Sequence, residues 1–186
     1  MNPIDAFLVL LRSWRNCSGF AFDDDEVSAP HAAVTAFDLE GFGSVARSLR
    51  ADAASVGETL SLLESVQTDL PQSWTGAGAD ALAVASATLS GQLAPAAADL
   101  GTQARTATAA HEILGEVIAD YRAVMAGAAQ PLAAGIGPAE AREELSARLD
   151  LVRAAGLAAS RAVDDGIGAL HDDWRSPGEL VLAGDR

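Results

Sequence analysis

The residues whose types could support chemistry are three histidines and one cysteine, and they are widely separated. His31, His111 and His171 include no pair four positions apart, as a zinc site on a helix would need. Cys17 has no histidine close to it in sequence, so a thiol nucleophile would lack its base. His171 lies beside two aspartates near a predicted helix C-terminus, where a solvated imidazolium is favoured. We therefore expect no catalytic residue, no metal site, no cofactor and no enzymatic activity.

Two other segments have a superficial likeness to ligand-binding loops. The acidic run Asp23–Glu26 offers carboxylates, but it lacks the spaced ligands and the central glycine of a calcium loop. The glycines Gly76 and Gly78 follow no predicted strand, so they lack the context of a phosphate loop. We interpret the acidic run as part of a solvated linker and the glycines as turn residues.

The charge and hydropathy patterns exclude several classes of partner. The net charge is −14, and all twelve basic residues are arginine. Such a surface repels phosphate backbones and acidic phospholipids, so we expect no nucleic-acid partner. No apolar run approaches the length that crosses a bilayer, so we expect no membrane span. The run Phe7–Leu11 is too short for the apolar core of a signal peptide, so any export would use a leaderless route.

The composition and periodicity predict helices throughout. Alanine makes up much of the 49% of residues that are hydrophobic, and it favours helices that approach closely. Residues 38–70 carry apolar side chains seven positions apart, as one helix of a coiled coil does. Residues 79–125 form a second periodic segment, in which Pro95 predicts a kink or break near Gln92. The predicted fold class is all-α, an elongated helical hairpin or bundle with two long antiparallel helices.

The sequence divides into five predicted parts. Pro3 and Asp5 favour the start of a helix, and Pro138 begins a third long helix with acidic residues in its first turns. The parts are a short N-terminal amphipathic helix 1–16, an acidic linker 17–37, a helical hairpin 38–127, a third helix 138–175 packing on the hairpin, and a tail 176–186.

Residues 70–78 predict the corner of the hairpin. Pro71 cannot continue a helix interior, and Gly76 tolerates left-handed backbone angles. Trp74 is expected to be buried at this corner as an aromatic anchor. The motif Trp74-Thr75-Gly76, between two helical arms, resembles the turn of the WXG100 family. The resemblance covers about residues 38–125.

This resemblance implies a function in secretion. WXG100-like proteins are small helical hairpins that type VII secretion systems of actinobacteria and some other Gram-positive bacteria export. The resemblance implies a substrate, or the N-terminal delivery domain of a longer effector, that acts through protein–protein interaction and is secreted or displayed at the cell surface. It also implies pairing with itself or with another WXG-like protein, and contact with a secretion ATPase or chaperone. The alternative is a cytoplasmic adaptor or chaperone-like bundle.

Two features depart from the family pattern. Members of the family are much shorter than the 186 residues of this chain. Their export signal, Tyr-x-x-x-Asp/Glu after the second helix, is absent in its strict form, because Met125 stands four positions after Tyr121. We therefore expect Tyr121 to be a core or interface residue.

The turn motif has a partial second copy. Trp74 and Gly78 recur 100 positions later as Trp174 and Gly178. One interpretation is an internal duplication, in which the third helix is the first arm of another hairpin and the chain is part of a longer protein. The other is that Trp174 is simply a C-terminal anchor.

The remaining candidates for function are apolar helix faces. Leu62 and Val66 lie beside the main seam of the first long helix, so another element or a partner must cover them. The candidate core and interface positions are Phe42, Leu49, Val56, Leu60, Leu63, Leu89, Leu93, Leu100, Leu114, Ile118 and Tyr121.

Overall fold

The computed structural model describes residues 3–18 and 20–174, apart from the side chains of residues 16–18, 71 and 172–174. This part of the chain contains helices and no strand, which confirms the all-α fold class. The helices are α1 (Pro3–Ser18), α2 (Asp24–Ser28), a 3₁₀ turn (Ala29–His31), α3 (Ala32–Ala36), α4 (Leu39–Ser73), α5 (Ala77–Ala128) and α6 (Pro138–Trp174).

The amphipathic helix at the N-terminus forms as predicted and ends two residues later than expected. Ile4, Phe7, Leu8 and Leu11 are buried on one face of α1, at the spacing that places them on consecutive turns. Val9 points away from this face and is exposed.

Residues 24–36 are helical, which corrects the prediction that residues 17–37 form an acidic linker. The Asp23 carboxylate caps α2 by accepting hydrogen bonds from the backbone N–H groups of Asp25 (2.8 Å) and Glu26 (3.4 Å). Val27 and Val34 are buried on the inner face of this segment. The acidic run therefore begins a short helix, and the apolar residues after it anchor that helix.

The corner between α4 and α5 lies where the sequence placed it. Gly76 has φ +109°, a backbone conformation that glycine adopts without a steric cost. Helix α4 continues through Pro71 to Ser73, three residues beyond its predicted end at residue 70. Helix α5 is continuous through Pro95, so the predicted break near Gln92 is not found. With 52 residues, α5 has a length of about 78 Å.

The chain forms two compact units, and both α5 and α6 contribute to each. The first contains the described residues of 1–39 and 112–169, and the second contains residues 40–111 together with the end of α6 from Leu170. The predicted hairpin domain 38–127 is therefore divided within α5. Residues 112–128 of α5 and most of α6 belong to the first unit, not to the hairpin.

The first unit holds the apolar core. Arg148 of α6 donates to the Ala128 carbonyl at the end of α5 (3.1 Å), which fixes the start of the connection between these helices. The largest fully buried side chains of the described residues all belong to this unit: Phe7, Leu11, Val27, His31, Leu114, Met125, Leu145, Val152 and Val163.

The second unit is a helical hairpin that buries mainly small side chains. The buried residues in its described part are Gly43, Ala46, Ala79, Ser86, Ala104, Ala107 and Leu170. Alanine allows two helix backbones to approach closely, but each alanine removes little apolar area from water. The hairpin therefore has a thin core, and larger side chains remain along its sides.

Candidate interaction surface

Contacts at three levels define the antiparallel register of the hairpin. At its base, the His111 ring lies against Gly43, where an added Cβ would come within 2.4 Å of the ring nitrogen Nε2. One helical turn further, Ala46 and Ala107 belong to one buried cluster. Nearer the corner, the Gln67 side-chain amide donates to the Ser90 hydroxyl (2.9 Å). Residue numbers thus rise along α4 as they fall along α5.

The eleven predicted core and interface positions lie in three different environments. Leu89 is exposed on the hairpin. Three positions are buried in the first unit and do not belong to the hairpin: Leu114, Ile118 and Tyr121. The other seven are half-buried along the hairpin: Phe42, Leu49, Val56, Leu60, Leu63, Leu93 and Leu100.

Apolar side chains remain exposed along one side of the hairpin near its corner. Leu62 and Val66 lie one turn apart on α4, and Leu82 and Leu89 lie two turns apart on α5. Both pairs flank the half-buried seam, and the antiparallel register places them on the same side of the hairpin. We call this surface, completed by Trp74 at the corner, the tip face (Leu62, Val66, Trp74, Leu82 and Leu89). The α4 pair was predicted from the sequence to need a covering element or partner, whereas the α5 pair was not.

Trp74 lies at the corner, as predicted, but it is not a buried anchor. Its side chain is 49% exposed. The ring lies over Gly78, where an added Cβ would approach the ring atom Cζ2 to 3.0 Å. Gly78 therefore lets the indole rest on the first turn of α5 while its other side faces outward.

Because Trp74 is half exposed, its replacement by alanine is expected to cost little stability. We expect Trp74→Ala to lower the free energy of unfolding by about 1 kcal/mol, since truncating a fully buried tryptophan costs about 3–5 kcal/mol. Urea denaturation followed by far-UV circular dichroism measures this difference. A loss of about 3 kcal/mol or more would show that the ring is buried in solution.

The hairpin around the tip face is uniformly acidic. Between residues 51 and 104 the sequence contains no lysine, arginine or histidine. This segment carries six carboxylates, all of them exposed: Asp52, Glu58, Glu64, Asp69, Asp80 and Asp99. The tip face is thus an apolar surface on a hairpin whose charged side chains between these positions are all acidic.

The histidines are not brought together. His31 is buried in the first unit, His111 is half-buried on the hairpin against Phe42, and His171 is exposed in the last turn of α6. Within residues 3–18 and 20–174, no three His, Cys, Asp or Glu side chains are placed to hold a metal ion. The side chains of Cys17 and Trp174, Gly178 and the tail 176–186 lie outside the described residues.

One described helix, α5, is long and apolar enough to cross a membrane by length and composition. In the 18-residue stretch of α5 that meets this criterion, 6% of the residues are buried. Length and composition alone are weak indicators, because helices of water-soluble proteins also meet them. The absence of a membrane span therefore stays a prediction.

The fold and this surface together define an all-α protein with a compact helical unit and an acidic hairpin that exposes an apolar face. Comparison with family models, with curated proteins and with solved structures gives no match. The WXG100 resemblance rests on the turn motif and its helical context alone.

Proposed function

We propose that this protein is a helical-hairpin docking protein that binds the apolar face of another helical protein through its tip face. The observation that carries the proposal is the exposure of Leu62, Val66, Trp74, Leu82 and Leu89 on one side of a hairpin. Contiguous apolar patches surrounded by polar residues are typical of protein interaction sites. The resemblance at Trp74-Thr75-Gly76 supports placing this docking in a type VII-like secretion process.

A two-helix hairpin buries little of the apolar surface of each helix. Each helix can cover only one side of its neighbour, so large side chains outside the seam stay in water. Taking a leucine or valine side chain fully out of water contributes about 1.5–3 kcal/mol. A helix laid along the tip face would cover several such residues at once, in the way that amphipathic helices fill apolar grooves.

The negative charge of the hairpin favours a partner of opposite charge. Six carboxylates and no basic residue between positions 51 and 104 favour a partner whose apolar stripe is flanked by arginine or lysine. Two copies of this chain paired through their tip faces would oppose like charges, which disfavours self-association. The preferred partner is therefore a different helical protein with basic flanks.

Docking through the tip face predicts that Leu62→Asp weakens binding more than tenfold. A new carboxylate in an apolar interface would lose its hydration without gaining a partner. A suitable probe is a designed helical hairpin with a leucine stripe flanked by arginines, titrated calorimetrically into the full chain. A second probe with glutamates in place of the arginines tests the charge preference, and raising the salt concentration should weaken only the first complex.

Val84→Asp is the matched control, because Val84 (68% exposed) and Leu62 (67% exposed) are equally accessible. Val84 lies on the opposite side of α5 from Leu82 and Leu89. Equal weakening by both variants would contradict docking through the tip face. Binding to neutral phosphatidylcholine vesicles, but to neither probe, would instead indicate a lipid surface as the partner.

The cytoplasmic adaptor is the second candidate function, and Tyr121 favours it. Tyr121 has no acidic residue four positions on, and it is 5% exposed and hydrogen-bonded to His31, so it does not present the family's export signal. The cellular location separates the two candidates. A secreted protein should appear in culture filtrate of a host with a type VII system and disappear from it when the secretion ATPase is deleted, while an adaptor stays inside in both strains.

A further inference from the structure

A fully buried histidine joins the segment 24–36 to the long helices of the first unit. His31 is 1% exposed, and its ring nitrogen Nδ1 lies 2.9 Å from the Tyr121 hydroxyl of α5. The other side of the ring lies against Gly156 of α6, where an added Cβ would approach Nδ1 and Nε2 to 2.6 and 2.7 Å. The imidazole thus fills a narrow space between two helices that are distant from it in sequence.

This environment fits a neutral imidazole and not a charged one. The second ring nitrogen, Nε2, is buried and has no hydrogen-bond partner among the described residues. In the neutral ring, a single hydrogen bond to Tyr121 leaves one nitrogen unsatisfied. In imidazolium both nitrogens carry protons, so the Nε2 proton would have no acceptor and the positive charge would be buried.

Among the described residues, no carboxylate forms an ion pair with His31. The acidic residue of α2 closest to it in sequence, Glu26, already pairs with Arg153 of α6 at 2.7 Å. From α5 the contacting titratable group is Tyr121, and the next residue is Arg122, a further positive charge. Burial lowers the pKa of His31 below its ordinary value of about 6.5.

Other contacts also hold the same segment: Asp24 pairs with Arg12 and Arg15 of α1, and Glu26 pairs with Arg153 of α6. The Ser160 hydroxyl of α6 donates to the Pro30 carbonyl (2.8 Å) and accepts from the Val34 backbone N–H (3.4 Å). Val27 and Val34 add two buried aliphatic side chains. The ion pairs are partly or largely exposed and each stabilises little, so losing the buried contacts of His31 should free the segment without unfolding the helices beneath.

We propose that His31 is the pH-sensitive element of a latch formed by residues 24–36, and that its protonation releases this segment from α5 and α6. Release would uncover the Tyr121 hydroxyl and the surrounding apolar surface, which includes Ile118 on α5 and Phe37 beyond the latch. The protein would then present a second, acid-dependent binding surface in its first unit, separate from the tip face.

The direction of the pH effect follows from proton linkage. In the released latch His31 titrates near its ordinary pKa, and in the closed latch burial lowers this pKa. Above about pH 6.5 both states are neutral, so opening does not depend on the His31 proton. Below this pH the released state binds the proton more strongly, and the opening equilibrium rises by up to tenfold per pH unit until the lowered pKa is reached.

Hydrogen–deuterium exchange of the full chain between pH 7.5 and 5.0 tests the latch. We expect the opening equilibrium of peptides within residues 24–37 to rise several-fold, relative to a peptide of α6 within residues 138–150 in the same sample. That internal reference cancels the pH dependence of chemical exchange. An unchanged ratio would overturn the proposal, and so would an equal rise in both peptides, which would mean general destabilisation.

Variants assign the effect to one proton. His31→Gln, which cannot be protonated in this range, should abolish the pH dependence, whereas the exposed control His171→Gln should keep it. If His31→Gln does not fold, a proton NMR titration of the unaltered chain measures the pKa of the His31 ring and tests the proposal instead. A pKa at or above about 6.5 would overturn the proposal, and a clearly lower one would support it.

Discussion

Replacing Gly156 with valine is expected to lower the free energy of unfolding by about 3 kcal/mol, at the upper end of the usual cost of overpacking a core. An added Cβ alone would come within 2.5 Å of the His31 ring. That ring cannot turn aside, because it is fully buried and holds the Tyr121 hydroxyl. Urea denaturation followed by far-UV circular dichroism measures the loss.

Gly168→Val is the matched control on the same helix. An added Cβ at Gly168 meets no atom within 4 Å, so this variant should change the free energy of unfolding by less than about 0.5 kcal/mol. The double variant His31→Ala/Gly156→Val should recover part of the loss, because the methyl groups would occupy the space that the imidazole leaves. Equal effects of the two glycine substitutions, or no coupling with His31, would contradict this packing.

The four long helices were predictable because their signals are local. Heptad spacing over residues 38–70 marks α4, and Pro138 with its acidic first turns marks the start of α6. Gly76 marked the corner because only glycine adopts its positive φ readily. Each of these signals depends on neighbouring residues in sequence, so it does not require knowledge of what the helix packs against.

The latch was not predictable in the same way. Its buried residues Val27, His31 and Val34 have helical spacing, but they span only two turns and follow an acidic run that is typical of a solvated linker. Short helices of this kind are stabilised by tertiary packing, here against Tyr121 and Ser160, and not by their own propensity. The spacing of the three residues was the available signal.

The candidate surface was predicted in part. Leu62 and Val66 lie beside the seam, so their exposure followed from the heptad pattern. Leu89 was predicted as a core or interface position, yet it is exposed, and so is Leu82. A helix rich in alanine offers several neighbouring stripes of similar hydropathy, and the sequence does not select which one faces α4. The prediction that Trp74 is buried was wrong for a related reason, because a large ring at a helix corner can lie on the surface.

Replacing Leu145 with alanine is expected to lower the free energy of unfolding by about 2–5 kcal/mol, because it leaves a cavity that the surrounding helices fill only partly. Leu145 is 0% exposed and belongs to the first unit, where the largest buried side chains lie. The measurement is urea denaturation with circular dichroism, combined with hydrogen exchange to locate the loss. Faster exchange should appear first in α1, α6 and residues 112–128 of α5.

Two further leucines on the long helices make this expectation specific. Leu157 is on α6 and 45% exposed, so Leu157→Ala should cost less than about 1 kcal/mol. Leu93 is half-buried on the hairpin, so Leu93→Ala should fall between the two. Similar losses for Leu93 and Leu145 would mean that the hairpin is already well packed on its own. A smaller loss in the free energy of unfolding for Leu93→Ala than for Leu145→Ala is expected if the hairpin has a thin core. A hairpin with a thin core leaves apolar surface that a partner helix can bind.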